Sequence, residues 1–184
     1  MSSNAAPGAL DVVRRFVNTF DAEDLAEALD SPAALARWLR QNGLADGTVR
    51  PSREDLLHAY ALREALRAVL VAHHGEPLDP HVPPFLDEAA RRARLAVRFD
   101  AHGDARVVAE APGVDGALGR LLAIVHDAIG QGTWERLKVC PADDCQVAFY
   151  DRSRNRSAVW CDMKVCGNRA KARGYRARRG GAGA

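Results

Sequence analysis

The chain has 184 residues, of which 47% are hydrophobic and 27% charged, and its formal net charge is +2. This length suits one ordinary domain with a hydrophobic core and a small second unit. No apolar run approaches the ~20 residues of a transmembrane helix, and the N-terminus MSSNAAPGAL lacks the features of a secretion signal. These features exclude a membrane-spanning class, and we expect a cytoplasmic protein without a membrane partner.

The first helix is predicted in LDVVRRFVNTF, where apolar residues recur at the three-and-four spacing of one buried face. Asp21 and Asp24 then suit a break in the helix. A second short helix is predicted to follow, with Leu25, Ala28 and Leu29 on its buried side.

Two further helices carry their own end signals. In SPAALARWLRQNG, Ser31 can cap the first turn and Gly43 can take the left-handed conformation that ends a helix. In PSREDLLHAYALREALRAVLVAHHG, Ser52 and Asp55 resemble a capping box and Gly75 ends the longest apolar stripe.

The second half of this region mixes helix and strand signals. Four prolines between Pro77 and Pro84 predict a loop, followed by a helix over 85–93. Apolar and polar residues alternate with a period of two in RLAVRFDAHGDARVVAE, on both sides of a Gly103-Asp104 turn, which predicts a hairpin. A last helix is predicted over 114–129, so the fold class is mainly α with one small β-hairpin.

Basic residues are concentrated at the end of the chain. Up to Tyr150 there are 16 basic and 22 acidic residues, and after it there are 10 basic and 2 acidic ones. This asymmetry suggests a polyanionic partner for the tail, most often nucleic acid. Two alternatives stay open: a general arginine bias with solvated side chains, and masking of the tail by the acidic body.

The four cysteines form two close pairs. Cys140 and Cys145 enclose four residues, Cys161 and Cys166 enclose four more, and fifteen lie between the pairs. Such spacing in a reducing compartment indicates a structural site for one zinc ion, Zn2+, with tetrahedral four-thiolate coordination. Closed coordination leaves no position for water, so the metal is expected to fold this segment and not to catalyse.

The sequence around the cysteines suggests a layout. RLKVC and QVAFY look like short strands that flank the CPADDC turn, and a helix is predicted to begin near the fourth cysteine. This would be a treble-clef-like or ribbon-like finger. The helix would place Arg169, Arg173 and Arg176 on one face, and basic helices of zinc modules commonly lie along DNA.

The segment CPADDCQVAFYDRSRNRSAVWCDMKVCGNRAKARGYRARR closely resembles the CGNR zinc-finger family, including the CGNR box itself. This resemblance implies that the four cysteines are zinc ligands. LDVVRRFVNTFD and LREALRAVL resemble motifs of the ABATE domain that usually precedes this finger. Proteins of this architecture are described as stress-induced transcriptional regulators, so the resemblance implies DNA binding by the finger.

We therefore predict a helical ABATE-like domain over 1–135, a CGNR-type finger over 136–179 and a disordered tail over 180–184. The predicted nucleic-acid contacts are Arg152, Arg154, Arg156, Arg169, Lys171, Arg173 and Arg176. The alternative is an RNA-binding or protein-interaction module whose zinc is purely structural. The sequence contains no group of residues that suggests a catalytic site, so we predict that the protein is not an enzyme.

Two polar residues interrupt apolar helical faces in the predicted helical domain. Asn18 and Arg63 could line a small-molecule effector site, which would suit a sensor domain. The alternative is a structural network in which each side chain satisfies loop carbonyls or an acidic group, because buried polar groups without partners are costly.

Overall fold

The computed structural model describes residues 4–180, apart from the side chains of residues 174, 175 and 177–180. The tail predicted over 180–184 lies outside the described residues from 181 onward. The helices of the described part are α1 (Leu10–Val17), α2 (Pro32–Gln41), α3 (Arg53–Ala72), α4 (Val82–Arg92), α5 (Gly113–Gly130) and α6 (Asn168–Gly180). The strands are β1 (Phe20–Asp21), β2 (Ala26–Glu27), β3 (Leu95–Phe99), β4 (Ala105–Ala109), β5 (Leu137–Val139) and β6 (Ala148–Tyr150).

The helical body forms around α1, α3 and α5, which pack on one another. Fully buried side chains at its centre include Phe16, Leu62, Leu66 and Leu121. None of the helices in the described part of the chain is long and apolar enough to cross a membrane.

The predicted end signals of α2 and α3 are confirmed. Ser31 Oγ accepts a hydrogen bond from the backbone N–H of Ala34 at 3.2 Å. Ser52 Oγ accepts from the N–H of Asp55 at 3.1 Å, and Asp55 Oδ2 accepts from the N–H of Ser52 at 2.7 Å. Both caps use residues three apart, so each helix start is determined by neighbouring residues.

The predicted hairpin is the antiparallel pair β3–β4, in which Leu95 lies opposite Ala109 and Phe99 opposite Ala105. Helix α4 begins at Val82, three residues before the predicted start, and so includes two prolines in its first turn. Proline is tolerated there because a first-turn N–H has no helical acceptor.

The short helix predicted after Asp21 is wrong. This segment is the two-residue pair β1–β2, with Phe20 opposite Glu27. Asp21 Oδ1 accepts hydrogen bonds from the N–H groups of Glu23 and Asp24, and Leu25 has a positive φ of 52° and is 78% exposed. The left-handed backbone of Leu25 is incompatible with a continuous α-helix and turns the chain back, so that β2 pairs with β1.

The prediction of one hairpin is therefore corrected to three two-stranded sheets within residues 4–180, pairing β1–β2, β3–β4 and β5–β6. The third sheet connects the body to the cysteines. Its residues Leu137, Val139 and Ala148 belong to the main hydrophobic core together with the helices. The core of the body thus continues past residue 135 into the segment that carries the metal ligands.

Candidate zinc centre and basic surface

The four cysteines converge on one point. Cys140 follows β5, Cys145 ends the turn between β5 and β6, and Cys166 lies in a single wide helical turn, Met163–Gly167, that precedes α6. The four Sγ atoms lie within 4.8 Å of one another, with 3.5 Å between Cys145 and Cys161 and 3.7 Å between Cys161 and Cys166. A zinc tetrahedron with 2.3 Å bonds has sulfur–sulfur edges of about 3.8 Å, so the site fits this ion.

A second, small hydrophobic cluster encloses the sulfur atoms. It contains Cys140, Cys145 and Cys166 together with the buried side chain of Phe149, and the half-buried Trp160 packs against it. This agrees with the closed arrangement expected of a structural site. A zinc ion here would hold the segment folded and offer no open coordination position.

The thiols differ in pKa because hydrogen bonds among them and burial affect each one differently. The hydrogen bond with Cys161 lowers the pKa of Cys140 to about 5 against the effect of burial, and backbone N–H groups of Cys161 and Ala142 contribute. Burial raises the pKa of Cys145 to about 11, and the hydrogen bond to Cys140 raises that of Cys161. Several thiolates become stable side by side only when a cation replaces the shared protons.

The glycine of the CGNR box is closely packed against two side chains. A Cβ at Gly167 would lie 2.4 Å from Met163 Sδ and 3.2 Å from Trp160 Cδ1. Asp162 Oδ1 accepts from the N–H of Lys164 at 2.7 Å and starts the same turn. The packing of Gly167 and the hydrogen bond to Asp162 together position Cys166 just before the first turn of α6.

The arginine of the box points to the metal centre. Arg169 Nη2 lies 3.5 Å from Cys166 Sγ, and Nη1 lies 3.3 Å from both Asp144 Oδ2 and Glu23 Oε1. The hydrogen bond with Cys166 raises the pKa of this guanidinium, which is therefore always charged. Arg173 Nη1 lies 3.5 Å from the same Asp144 carboxylate. One face of α6 is thus turned to the cysteine turn.

The other predicted DNA contacts fall into two groups. Arg152 Nη2 donates to Ala5 O at 2.8 Å, and Arg156 Nη1 lies 3.1 Å from Glu135 Oε2. Arg154, Lys171 and Arg176 are exposed and form no ion pair with any described residue. Lys164 shares both properties, although sequence reasoning did not include it.

Sequence reasoning also missed a buried pair that organises the arm between β6 and Cys161. Lys138 Nζ donates to Asp151 Oδ2 at 2.9 Å and to the carbonyls of Arg156 and Ala158. Burial alone would raise the pKa of Asp151, but hydrogen bonds from Ser153 and Lys138 outweigh it and lower the pKa. Asp151 is one of two acidic residues after Tyr150, and its rarity in this basic segment was the sequence signal that could have pointed to a paired carboxylate.

Asn18 and Arg63, the predicted effector contacts, both use their polar groups on the protein. Asn18 exchanges two hydrogen bonds with the backbone of Ala148, at 2.9 and 2.7 Å. Arg63 is 5% exposed, and its Nη1 lies 2.7 Å from Glu27 Oε2. Such contacts with backbone groups and an acidic side chain are those expected of a structural network. Effector binding by either residue stays a prediction.

Comparison with known families agrees with this geometry. The family model described as "CGNR zinc finger" matches residues 136–179. The ABATE model, described as "Putative stress-induced transcription regulator", matches residues 10–131, which is more than half of the chain. Neither description is that of an enzyme, and no curated protein matches the chain. The protein therefore belongs to the ABATE family of putative stress-induced transcription regulators and carries a CGNR zinc finger after its ABATE domain.

Proposed function

We propose that the protein is a DNA-binding transcription regulator whose zinc finger presents a basic surface to duplex DNA. One observation carries the proposal. Arg154, Lys164, Lys171 and Arg176 are exposed and have no ion-pair partner among the described residues, on a segment with 10 basic and 2 acidic residues. Free cations of this kind neutralise phosphates and supply most of the affinity for DNA.

The two faces of α6 take different roles in this proposal. Arg169 and Arg173 face Asp144 and the sulfur atoms, so they stabilise the zinc centre. Lys171 lies on another face, and its exposed ammonium is available to a phosphate. The DNA-facing set is therefore smaller than the sequence alone suggested.

Binding to duplex DNA at several salt concentrations, measured by fluorescence anisotropy, tests the proposal. If five phosphates are neutralised, the logarithm of the binding constant falls with log salt with a slope of about −4.5. Lys171→Ala should make the slope shallower by about 0.9. The matched control is Arg91→Ala, which removes an exposed arginine of α4. Absent or salt-insensitive binding rejects the proposal.

A second candidate is binding to single-stranded nucleic acid or RNA, and two surface hollows beside Trp160 favour it. The half-buried Trp160 lines two surface hollows, one of about 390 Å³ with Val159 and Met163 and one of about 160 Å³ with Tyr150 and Arg152. An aromatic ring that reaches the surface can stack on an unpaired base. Tighter binding to single strands than to duplex at equal salt, lost in Trp160→Leu, would select this candidate.

The sensing part of the proposal concerns the helical body. Arg37, Arg40 and Arg50 line a hollow of about 610 Å³ beside α2, and guanidinium groups suit an anionic effector. Inorganic phosphate should raise the melting temperature relative to sodium chloride at equal ionic strength, and Arg40→Ala should remove the difference. Equal melting temperatures in the two salts reject a phosphate-like effector at this hollow.

A further inference from the structure

We propose that the helical body completes the zinc centre, with Arg67 and Asn18 acting as positioning residues for the turn that holds Cys140 and Cys145. Both residues lie outside the finger match of 136–179. The proposal concerns metal binding, and it holds whether or not DNA is the partner.

Arg67 connects the body to the residue after a metal ligand. Its guanidinium is almost fully buried, donating from Nη1 to Gln146 O at 2.8 Å and from Nη2 to Val17 O at 2.7 Å. Gln146 follows Cys145 and has a φ of 51°, in the left-handed region that costs energy for a residue with a Cβ. The guanidinium fixes the carbonyl of this strained residue, and with it the direction of the chain leaving Cys145.

Asn18 holds the strand that follows the turn. Its Nδ2 donates to Ala148 O at 2.9 Å, and its Oδ1 accepts from the N–H of Ala148 at 2.7 Å. In the neighbouring position, Val147 O accepts from the N–H of Cys140 at 2.9 Å across the hairpin. Because neighbouring residues of a strand direct their backbone groups to opposite sides, Asn18 satisfies the side of β6 that faces away from β5.

The other strand is held from the end of α3. The ring of His73 bonds to Leu137 O and that of His74 to Val139 O, each at 2.7 Å. Val139 immediately precedes Cys140. Side chains of the body therefore fix the backbone on both sides of the first cysteine pair.

This arrangement couples zinc affinity to the body. A metal site whose ligands are already in place loses less conformational entropy on binding than a flexible one, and partners behind the ligands commonly change metal affinity by about 10–100-fold. Coupling of this kind is reciprocal, so zinc must stabilise the body to the same extent that the body favours zinc.

The chain offers a matched control for Arg67. Arg63 lies one turn earlier on α3, is equally buried and pairs with Glu27 and Glu64, which are both residues of the body. Replacing either arginine by methionine removes a buried guanidinium from the same acidic neighbour, Glu64. Only the change at Arg67 also releases the carbonyl beside Cys145.

The experiment compares zinc affinity of full-length Arg67→Met and Arg63→Met by competition with a chromophoric chelator. Arg67→Met is expected to weaken zinc binding by about tenfold or more, whereas Arg63→Met should change it far less. Melting temperatures measured in parallel show how much each change destabilises the body. Unchanged zinc affinity in Arg67→Met overturns the proposal, and so does an equal loss in both variants, because the loss would then follow general stability.

If Arg67→Met does not fold, Asn18→Ala and Arg67→Lys provide the same test. Asn18→Ala leaves both backbone groups of Ala148 without their side-chain partner, so zinc affinity should fall. Arg67→Lys keeps the positive charge but has one nitrogen in place of the two that reach Gln146 O and Val17 O, so its zinc affinity should fall below that of the wild type. A folded Asn18→Ala with wild-type zinc affinity contradicts the proposal.

Discussion

Gly167 is the position in the CGNR box where an added side chain would strike Met163. A Cβ there would meet Met163 Sδ at 2.4 Å, so Gly167→Ala must displace the methionine or widen the turn that carries Cys166. Overpacking costs about 1–3 kcal/mol in a well-packed core, and the half-exposed Met163 can move aside, so we expect about 1 kcal/mol here. We expect Gly167→Ala to lower the free energy of unfolding by that amount in urea titrations and to speed zinc loss to a chelator.

The cause can be separated from a general effect of alanine in the turn. Met163→Ala removes the atom that the new Cβ would strike, and Met163 is half exposed and costs little to truncate. The double variant Gly167→Ala/Met163→Ala should therefore recover most of the loss. A double variant as unstable as Gly167→Ala alone would show that the clash with Met163 is not the reason for glycine.

Lys138 and Asp151 form the one buried ion pair among the cations of the described finger segment, with side chains 7% and 0% exposed. Removing one charge leaves the other buried and unpaired, which costs about 3–5 kcal/mol. We expect Lys138→Met and Asp151→Asn each to destabilise the zinc-loaded protein by this amount in urea. The double variant should cost less than the sum, because no unpaired charge remains.

The exposed pair Arg156–Glu135 is the matched control, with side chains 50% and 71% exposed. Glu135→Gln should change the unfolding free energy by no more than about 1 kcal/mol, because water screens surface pairs. Strictly additive losses in Lys138→Met and Asp151→Asn would argue against a coupled buried pair.

At the scale of residues, the spacing of the cysteines was enough to predict the metal ligands. The roles of individual basic residues could not be predicted, because they depend on contacts with residues far away in the sequence. The spacing of Cys140, Cys145, Cys161 and Cys166 predicted one cluster, which the structure shows. It could not distinguish Arg169 from Lys171, since the difference depends on Asp144 and on Glu23, which lies 146 residues earlier in the chain.

At the scale of elements, the sequence predicted well where the signals are local. The starts of α2 and α3 follow from Ser31 and Ser52, whose partners are three residues away. The pair β1–β2 was missed because Leu25, which precedes β2, and Leu29, which follows it, fit a helical spacing. The turn also depends on long-range contacts, since Glu27 of β2 pairs with Arg63 and Leu29 O accepts from the Tyr60 hydroxyl.

The contact between the end of α3 and β5 should make stability depend on pH. Burial lowers the pKa of His73 below 6.5, against the raising effects of its bond to Leu137 O and of Glu135, while His74 and Lys138 nearby lower it further. The unfolded chain then binds a proton more readily than the folded one. Stability from His73 is therefore complete above pH 6.5 and is lost as the pH falls through the lowered pKa.

Urea titrations from about pH 8 to about pH 6, with bound zinc measured in each sample, check this expectation. His58 on the same helix also has a pKa lowered by burial, so each single variant should remove only part of the dependence. A His73→Gln protein with the full wild-type pH dependence would contradict the assignment to His73.

At the scale of the whole molecule, the charge asymmetry raises the question of whether the acidic body covers the basic segment. Among the described residues, the ion pairs between the body and the predicted DNA-binding cations include Arg169–Glu23 and Arg156–Glu135, both on the surface, and Arg152 also donates a hydrogen bond to Ala5 O. Exposed pairs contribute about 0–1 kcal/mol each. Two such pairs are too weak to withhold Arg154, Lys171 and Arg176 from a polyanion.

The sequence suggested two units, and the core shows how closely they are joined. Leu137 and Val139 are fully buried in the main core, although both lie within the residues matched by the finger family. Sequence patterns could not reveal this, because a three-residue strand has the same alternation whether it packs on its own unit or on a neighbouring one. The cysteines are therefore attached to a sheet that also contributes side chains to the hydrophobic core of the body.

Removing zinc should consequently destabilise the helical body as well as the finger. If β5 detaches when its cysteine is released, the body loses two buried aliphatic side chains worth about 1.5–3 kcal/mol each, which lowers the melting temperature by roughly 10 °C. Calorimetry with and without a chelator, together with circular dichroism of the helices, measures this shift. Arg91→Ala, remote from the cysteines, should show the same chelator effect as wild type. A helical transition at an unchanged temperature after zinc removal would mean that the body keeps β5 without the metal, because the strand is then held by α3 alone.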